Sequence, residues 1–225
     1  MTKREFVILA DLQSNSRELA IACEQAGAQS IILHFNDDNS HGSRFGSLDI
    51  EEQSLRDCIG SVDTSLGIWI GDSRPLDTLV WEKCVALGFS FVIMQAHHMP
   101  TFVWKDNRIP KFVGIGPGYI LEQVRTLAEF QEVSSLVASL TPPSGHGLPL
   151  NLFDVATLKL ITTLSKKPVL YSTQRKVRIE DVGLLAGEGC SGLILKGSNY
   201  GETTGEFKEN ITKFKAVSSQ EHQSP

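Results

Sequence analysis

The sequence predicts a single (β/α)8 barrel, and two observations carry that prediction. Short apolar runs, typical of buried parallel strands, alternate with segments of helical periodicity along the chain of 225 residues. Strict alternation favours a parallel sheet, and eight such units favour closure into a barrel. A doubly wound open sheet is the alternative. No glycine-rich nucleotide fingerprint supports it, because residues 114–118 lack the GxGxxG spacing.

The clearest unit lies between residues 166 and 201. Residues 168–171 are a short apolar run after a lysine pair, and residues 193–195 form a second one. Between them, apolar side chains at residues 179–185 fall at helical spacing, and Gly187 interrupts that helix. A strand, a helix and a second strand of this length form one parallel crossover.

The same pattern assigns the remaining elements in order. The predicted strands cover residues 6–10, 30–35, 67–70, 89–94, 111–115, 135–140, 168–171 and 193–195. Ser14 or Ser16 can cap the first helix, and Asp77 stands at the start of the third. Residues 99–110 are an excursion over the barrel mouth. We expect one barrel domain at residues 1–217 and a polar, disordered tail at residues 218–225.

Composition excludes several classes of function. The net charge of −5 argues against a nucleic-acid-binding surface. No apolar run approaches the ~18 residues of a membrane span, and the N-terminus leads into a strand without a signal-peptide pattern. The cysteines form no CxxC pair, which is typical of reduced thiols in a cytoplasmic protein. They are Cys23, Cys58, Cys84 and Cys190.

Polar side chains recur where the first four strands end, and these ends face one mouth in a closed barrel. Carboxylates and imidazoles there could act as acid and base, or hold a divalent metal, while the sequence leaves the cofactor unknown. The candidate catalytic residues are Asp11, His34, Asp72 and His97, with His98 and the candidate ligand-binding Gln95 beside them.

Each candidate also has a structural interpretation. Asp11 could cap a helix, His34 could be a core histidine with its hydrogen bonds satisfied, and Asp72 could shape a turn. Strand alternation would let only one of His97 and His98 point inward.

After the eighth predicted strand the chain reads Lys196-Gly197-Ser198. On this pair of Gly197 and Ser198 the chain resembles the phosphate-binding, or ribulose-phosphate-binding, class of TIM barrels. In that class a Gly-Ser pair after the eighth strand holds phosphate through its amides, and Gly197-Ser198 matches it. The class carries glycines after the seventh strand, where this chain has residues 172–176. Arg175 and Lys176 could supply positive charge instead. No specific member of the class is matched. The polar residues at the ends of the last two strands complete the predicted ligand-binding set, because parallel α/β folds bind ligands there. Besides Gln95, the set comprises Thr173, Gln174, Arg175, Lys176, Lys196, Gly197 and Ser198.

These observations favour a cytoplasmic lyase or isomerase, such as an epimerase, acting on a small anionic, phosphorylated metabolite. The alternative is a non-catalytic barrel that binds such an anion. Lys196 could form a Schiff base, contact phosphate or simply line the rim. We also expect a homo-oligomer that covers Trp69, Trp81 and Trp104, and neither nucleic acid nor membrane as a partner.

Overall fold

A computed structural model describes residues 5–37 and 44–220 and confirms the predicted (β/α)8 barrel. Eight strands pair in chain order, every neighbouring pair is parallel, and β8 closes on β1. Because the strands are all parallel, their carboxyl ends share one mouth. The strands are β1 (Val7–Asp11), β2 (Ser30–Phe35), β3 (Ser65–Ile70), β4 (Phe91–Gln95), β5 (Lys111–Ile115), β6 (Val133–Ala138), β7 (Val169–Ser172) and β8 (Gly192–Lys196).

Helices follow the strands and form the outer layer. They are α1 (Arg17–Gln25), α2 (Leu48–Ile59), α3 (Thr78–Ala86), α4 (Thr101–Lys105), α5 (Leu121–Glu129), α6 (Leu152–Leu164), α7 (Asp181–Gly187), α8 (Gly197–Tyr200) and α9 (Thr204–Gln220). The side chains of Ser16, Asp77 and Asn151 accept hydrogen bonds from first-turn amides of α1, α3 and α6. These caps satisfy donors that a helix leaves free, which fixes where the three helices begin.

Alternation along the strands separates two apolar cores. The inner core fills the barrel, and the outer core lies between strands and helices. Every second side chain of a strand therefore points into the barrel. The last of these on each strand lies at the mouth. The inner core comprises Leu9, Ile32, Trp69, Phe91, Ile93, Val137, Leu170 and Ile194.

Several boundaries differ from the prediction. The predicted strand at residues 89–94 begins at Phe91, and the one at 135–140 is β6, two residues earlier at each end. The sequence also predicts a long polar loop at residues 36–47, of which residues 38–43, including His41, lie outside the described residues. α9 extends to Gln220, so Ser218, assigned to the tail, is buried on this helix instead.

Two of the three tryptophans that we expected an oligomer to cover are already buried within the chain, so for them the prediction is wrong. Trp69 lies in the inner core, and Trp81 is 2% exposed and donates through Nε1 to Asp106. Trp104 is half-buried against Phe130.

All four cysteines lie in the described part and are buried, free thiols. Within residues 5–37 and 44–220, no helix combines the length and the apolar character that crossing a membrane requires.

Candidate active site

The candidate active site is a row of four charged side chains at the mouth of the barrel. His34, at the end of β2, lies between two carboxylates: its Nε2 is 2.6 Å from Asp11 Oδ1, and its Nδ1 is 3.0 Å from Asp37 Oδ2. Lys196, the last residue of β8, donates to the other oxygen of Asp11 at 2.8 Å. We call Asp37, His34, Asp11 and Lys196 the charged row.

Strand pairing places three members of the charged row side by side. Asp11 pairs with Lys196 across β1 and β8, and β1 pairs with β2 on its other side. Leu9, Ile32 and Ile194 point inward two residues earlier, so Asp11, His34 and Lys196 point inward as well. The barrel itself thus brings these groups together.

Burial makes the interactions within the charged row strong. His34 is 1% exposed and the Asp11 side chain 4%, whereas the side chains of Lys196 and Asp37 are 16% and 15% exposed. Asp11 and His34 therefore form the inside of the row, and Lys196 and Asp37 are its ends toward solvent.

Mutual attraction sets the protonation of the row. Burial lowers the pKa of His34, but the nearby carboxylates of Asp11 and Asp37 outweigh burial and raise that pKa to about 8. Burial raises the pKa of Asp11, but Lys196 and His34 outweigh it and hold that pKa at about 2. Burial also lowers the pKa of Lys196, and Asp11 reverses this, so the net shift is upward. At neutral pH, Lys196 and His34 are cations and Asp11 is an anion.

Two aromatic rings flank the imidazole. Phe45 stacks on His34 with 4.6 Å between ring centroids, and Trp69 lies at 6.0 Å with its plane tilted by 19°. The Nζ of Lys196 stands 5.3 Å from the centroid of Trp69. These rings cover the imidazole of His34, and Trp69 also attracts the ammonium group of Lys196.

Asn15 fixes the backbone of His34 and was missed by the sequence analysis. Its amide Nδ2 donates to the carbonyl of His34 at 2.7 Å, and its Oδ1 accepts from the amide of His34 at 3.0 Å. Glu51 in turn accepts from Asn15 Nδ2 and from the amide of Gly46. The signal was only an asparagine just before a helix, which usually indicates a cap.

The turn after β2 places Asp37 beside His34. Asn36 has a φ of 53°, a left-handed conformation that asparagine tolerates. A Cβ at Gly71 would lie 2.3 Å from the carbonyl oxygen of Asn36 and 2.5 Å from the Cα of Asp37. Glycine at position 71 therefore lets this turn pass close to the end of β3.

Two predicted catalytic residues lie outside the charged row. Asp72 is exposed and pairs with His98 at 2.9 Å. His97 contacts the hydroxyl of Tyr119, and its ring lies 4.0 Å from that of His98, centroid to centroid, with the two planes tilted by 52°. Strand alternation does not extend to the two histidines, because β4 ends at Gln95 and the chain turns at once. Asp72 and His97 belong to the rim.

Gln95 is the inward residue at the end of β4. Its carboxamide lies over Gly114 of β5, where an added Cβ would meet it at 2.8 Å. It therefore covers Gly114, the residue paired with it on β5, on the inside of the barrel.

The side chain of Arg175 does not reach the mouth of the barrel. The sequence-based prediction that it binds an anion there is therefore corrected. Its guanidinium pairs with the buried Asp154 of α6 and donates to the carbonyl of Gly145 at 3.3 Å. Asp154 lies on α6 in the outer layer, so this pair directs Arg175 toward the helices. Its charge is already compensated there.

The other residues after β7 hold the loop together. Thr173 Oγ1 donates to the carbonyl of Ile194, and Gln174 Oε1 accepts from the amide of Thr141. Asn199 Nδ2 donates to the carbonyl of Thr173 at 2.7 Å and closes the gap between the ends of β7 and β8. The structure thus gives Thr173 and Gln174 partners within the chain.

Gly197 and Ser198 begin α8, directly after Lys196. Gly197 packs on the first loop, since an added Cβ would lie 3.3 Å from Asp11 O and from Gln13 N. A cavity of about 760 Å³ adjoins α8, and exposed Lys176 and Ser198 both line it. Three acidic residues, Glu180, Glu202 and Glu206, line the same cavity.

Within residues 5–37 and 44–220, no group of three or more histidine, cysteine and acidic side chains is arranged to hold a metal ion. The site residues therefore give no geometry for a metal.

Comparison with known proteins shows the fold. No protein-family model and no curated protein matches the chain. Among solved structures, thiamine phosphate pyrophosphorylase from Pyrococcus furiosus has a TM-score of 0.66 at 14% identity, covering 97% of this chain and 98% of that one.

Two further structures agree. The tryptophan synthase α-subunit from Pyrococcus furiosus has a TM-score of 0.71 at 15% identity, covering 96% of this chain and 100% of that one. Phosphoribosyl anthranilate isomerase from Thermus thermophilus has a TM-score of 0.68 at 13% identity, covering 95% and 99%. The TM-scores and the coverage show a shared barrel fold over nearly the full length of each chain. At identities this low, they show the fold alone.

Proposed function

We propose that this chain is a lyase or isomerase that moves a proton on a small anionic, phosphorylated metabolite at the mouth of the barrel. The observation that carries the proposal is the charged row. A buried ammonium, carboxylate and imidazole within hydrogen-bonding distance of one another, at the ligand end of the barrel, form the arrangement that proton transfer requires.

The two ends of the row face the substrate. Lys196 has one of its three donors on Asp11 and can direct the others at a carbonyl oxygen, where negative charge develops as a proton leaves the adjacent carbon. The Asp37 carboxylate is the base that accepts this proton. Because Lys196 is held as a cation by Asp11, it acts through its charge, and a Schiff base is not its role.

Asp11 and His34 are positioning residues in this scheme. Both oxygens of Asp11 and both ring nitrogens of His34 are bonded within the row. They hold Lys196 and Asp37 in place and link them electrostatically.

The phosphate of the substrate lies against the amides of Gly197 and Ser198. Ser198 is exposed at the start of α8, and the neighbouring Lys196 supplies positive charge. The names of two structural neighbours, a thiamine phosphate pyrophosphorylase and a phosphoribosyl anthranilate isomerase, refer to phosphate compounds and support this part of the proposal.

One observation favours the second candidate, a barrel that binds the anion without catalysis. His34 is 1% exposed and has no free ring nitrogen, so the row would also suit a purely structural role. Binding without proton exchange is the outcome that this alternative predicts.

Solvent deuterium incorporation separates the two candidates. The purified protein is incubated in D2O with phosphorylated ketoses and aldoses of three to six carbons, and NMR follows exchange of carbon-bound protons. We expect exchange in at least one compound, and loss of it in Lys196→Met and Asp37→Asn with the fold retained. Compounds that bind without exchange would support the binding protein, and absence of both would contradict both candidates.

Further features of the proposal remain predictions. The first is a single barrel domain. The second is a cytoplasmic location, which the four buried, free thiols support. The third is homo-oligomerisation, which light scattering tests.

A further inference from the structure

Three side chains near the carboxyl ends of β4, β6 and β7 carry polar atoms that nothing in the described part of the chain hydrogen-bonds. They are the Oε1 of Gln95 and the hydroxyls of Ser139 and Ser172, and all three atoms are shielded from solvent. Ser139 is 2% exposed and Ser172 1%. Buried polar atoms normally have partners, so three such atoms in one region need an explanation.

Strand register places the two serines next to each other, facing into the barrel. Val137 and Leu170 belong to the inner core, and Ser139 and Ser172 each follow two residues later. Ala138 pairs with Tyr171, so the next residue on each strand is also matched. The amide of Ser139 continues the ladder by donating to Ile115 at 2.9 Å, which keeps the alternation intact at this position.

Gln95 faces the serines from the other side of β5. Its Oε1 would lie 2.9 Å from a Cβ at Gly114 and 3.6 Å from one at Gly116, so it occupies space that β5 leaves open. Ser172 also matches Ile194 on β8, two residues before Lys196. We call Gln95, Ser139 and Ser172 the polar floor.

Another buried serine of β6 shows that the fold can satisfy such groups. Ser135, as buried as Ser139 but toward the opposite end of the strand, donates its hydroxyl to the carbonyl of Pro168 at 2.9 Å. The unpartnered hydroxyls of Ser139 and Ser172 thus lie toward the carboxyl ends of their strands, the end at which barrels of this kind bind ligands.

We propose that the polar floor binds hydroxyl or carbonyl groups of the substrate, so that the ligand is a polyhydroxylated phosphate and not a simple alkyl phosphate. This inference rests on the proposed function, which supplies the phosphate and the charged row. The serines and Gln95 can both accept and donate hydrogen bonds, and they distinguish hydroxylated from apolar carbon chains because an unmatched buried polar group is costly.

Calorimetry on matched ligands and variants tests this inference. The probes are ribitol 5-phosphate and pentyl phosphate, which share a five-carbon chain and differ in hydroxyl groups. The variants are Ser139→Ala and Ser172→Ala, with Ser135→Ala as the control. Melting temperatures of the ligand-free proteins are recorded in parallel.

We expect the wild type to bind ribitol 5-phosphate at least tenfold more tightly than pentyl phosphate. Ser139→Ala and Ser172→Ala should each weaken the binding of ribitol 5-phosphate three- to tenfold and leave the affinity for pentyl phosphate unchanged. In the free protein they should leave the melting temperature unchanged or raised, because each removes an unsatisfied hydroxyl, whereas Ser135→Ala should lower it.

Three outcomes would overturn the inference. Equal affinities for ribitol 5-phosphate and pentyl phosphate would show that the polar floor does not bind the ligand, while the proposed anion site would still stand. A lower melting temperature in Ser139→Ala and Ser172→Ala would indicate that their hydroxyls hold the structure together, for example through a trapped water. Failure of both phosphates to bind would contradict the proposed function and the inference with it.

Discussion

Asp11 and Lys196 occupy paired positions on β1 and β8, and the ammonium of Lys196 lies 2.8 Å from the carboxylate of Asp11. The Asp11 side chain is almost fully buried and also holds His34. Since both cations of the row depend on this one carboxylate, it determines the charge state of the candidate site.

Removing the charge of Asp11 should destabilise the protein strongly. Asp11→Asn keeps the shape of the side chain but leaves the buried ammonium of Lys196 without its anion. We expect a loss of about 3–5 kcal/mol in the free energy of unfolding at pH 7, measured by urea denaturation. Glu52→Gln, which breaks the exposed pair with Arg56, is the control and should cost less than about 1 kcal/mol. A loss in Asp11→Asn as small as in the control would contradict the charged row.

Stability should fall as the pH rises from 6 to 8. The pKa of His34 is raised from 6.5 to about 8 in the folded protein, so its contribution is complete below pH 6.5 and is lost as the pH rises through 8. These two pKa values of His34 give a decrease of about 1.5 kcal/mol in the free energy of unfolding between pH 6 and pH 8. Urea denaturation at pH 6, 7 and 8 measures it, and His34→Gln should flatten the dependence. Equal slopes in the two proteins would show that His34 is not the titrating group.

An alanine at position 71 should disturb the site through the backbone. The new Cβ of Gly71→Ala would collide with the backbone of Asn36 and Asp37 and push Asp37 away from His34. We expect a loss of about 1–3 kcal/mol in stability, together with a lower pKa of His34 in an NMR titration. Gly187→Ala, where an added Cβ meets nothing within 4 Å, should leave both quantities nearly unchanged. An unaltered His34 titration in Gly71→Ala would mean that Asp37 does not depend on this turn.

Arg175 should matter for stability and not for binding of anions. Arg175→Ala leaves the buried carboxylate of Asp154 uncompensated, and we expect a loss of about 3–5 kcal/mol in the free energy of unfolding. The affinity for inorganic phosphate, measured by calorimetry, should stay the same. Arg178→Ala, which removes an exposed pair with Asp181, is the matched control. A clear loss of phosphate affinity in Arg175→Ala would restore the role that the sequence suggested.

The sequence was sufficient for the fold because its strands are buried on both sides. Apolar runs such as residues 30–35 and 111–115 have the same bounds as β2 and β5. Strand boundaries were predicted less well where buried apolar residues lie just outside a strand. Phe89 follows Gly88 and is buried, yet β4 begins only at Phe91.

The site could be predicted only where alternation reaches the strand end. Asp11, His34 and Lys196 complete strands whose inward register is fixed by the core. Asp72 and His97 follow turns, where the period of two no longer applies. Arg175 illustrates a different limit, because its partner Asp154 lies on another helix and no local pattern indicates that pairing.

The contact between Asp11 and Lys196 joins residues that are 185 positions apart in the chain. Such a contact contributes heavily to contact order, and long-range pairing of this kind forms late and slowly in folding. The candidate site therefore cannot exist in an intermediate that lacks either β1 or β8. Binding of an anion by Lys196 would serve as a kinetic reporter of ring closure, appearing only after the first and last strands have met.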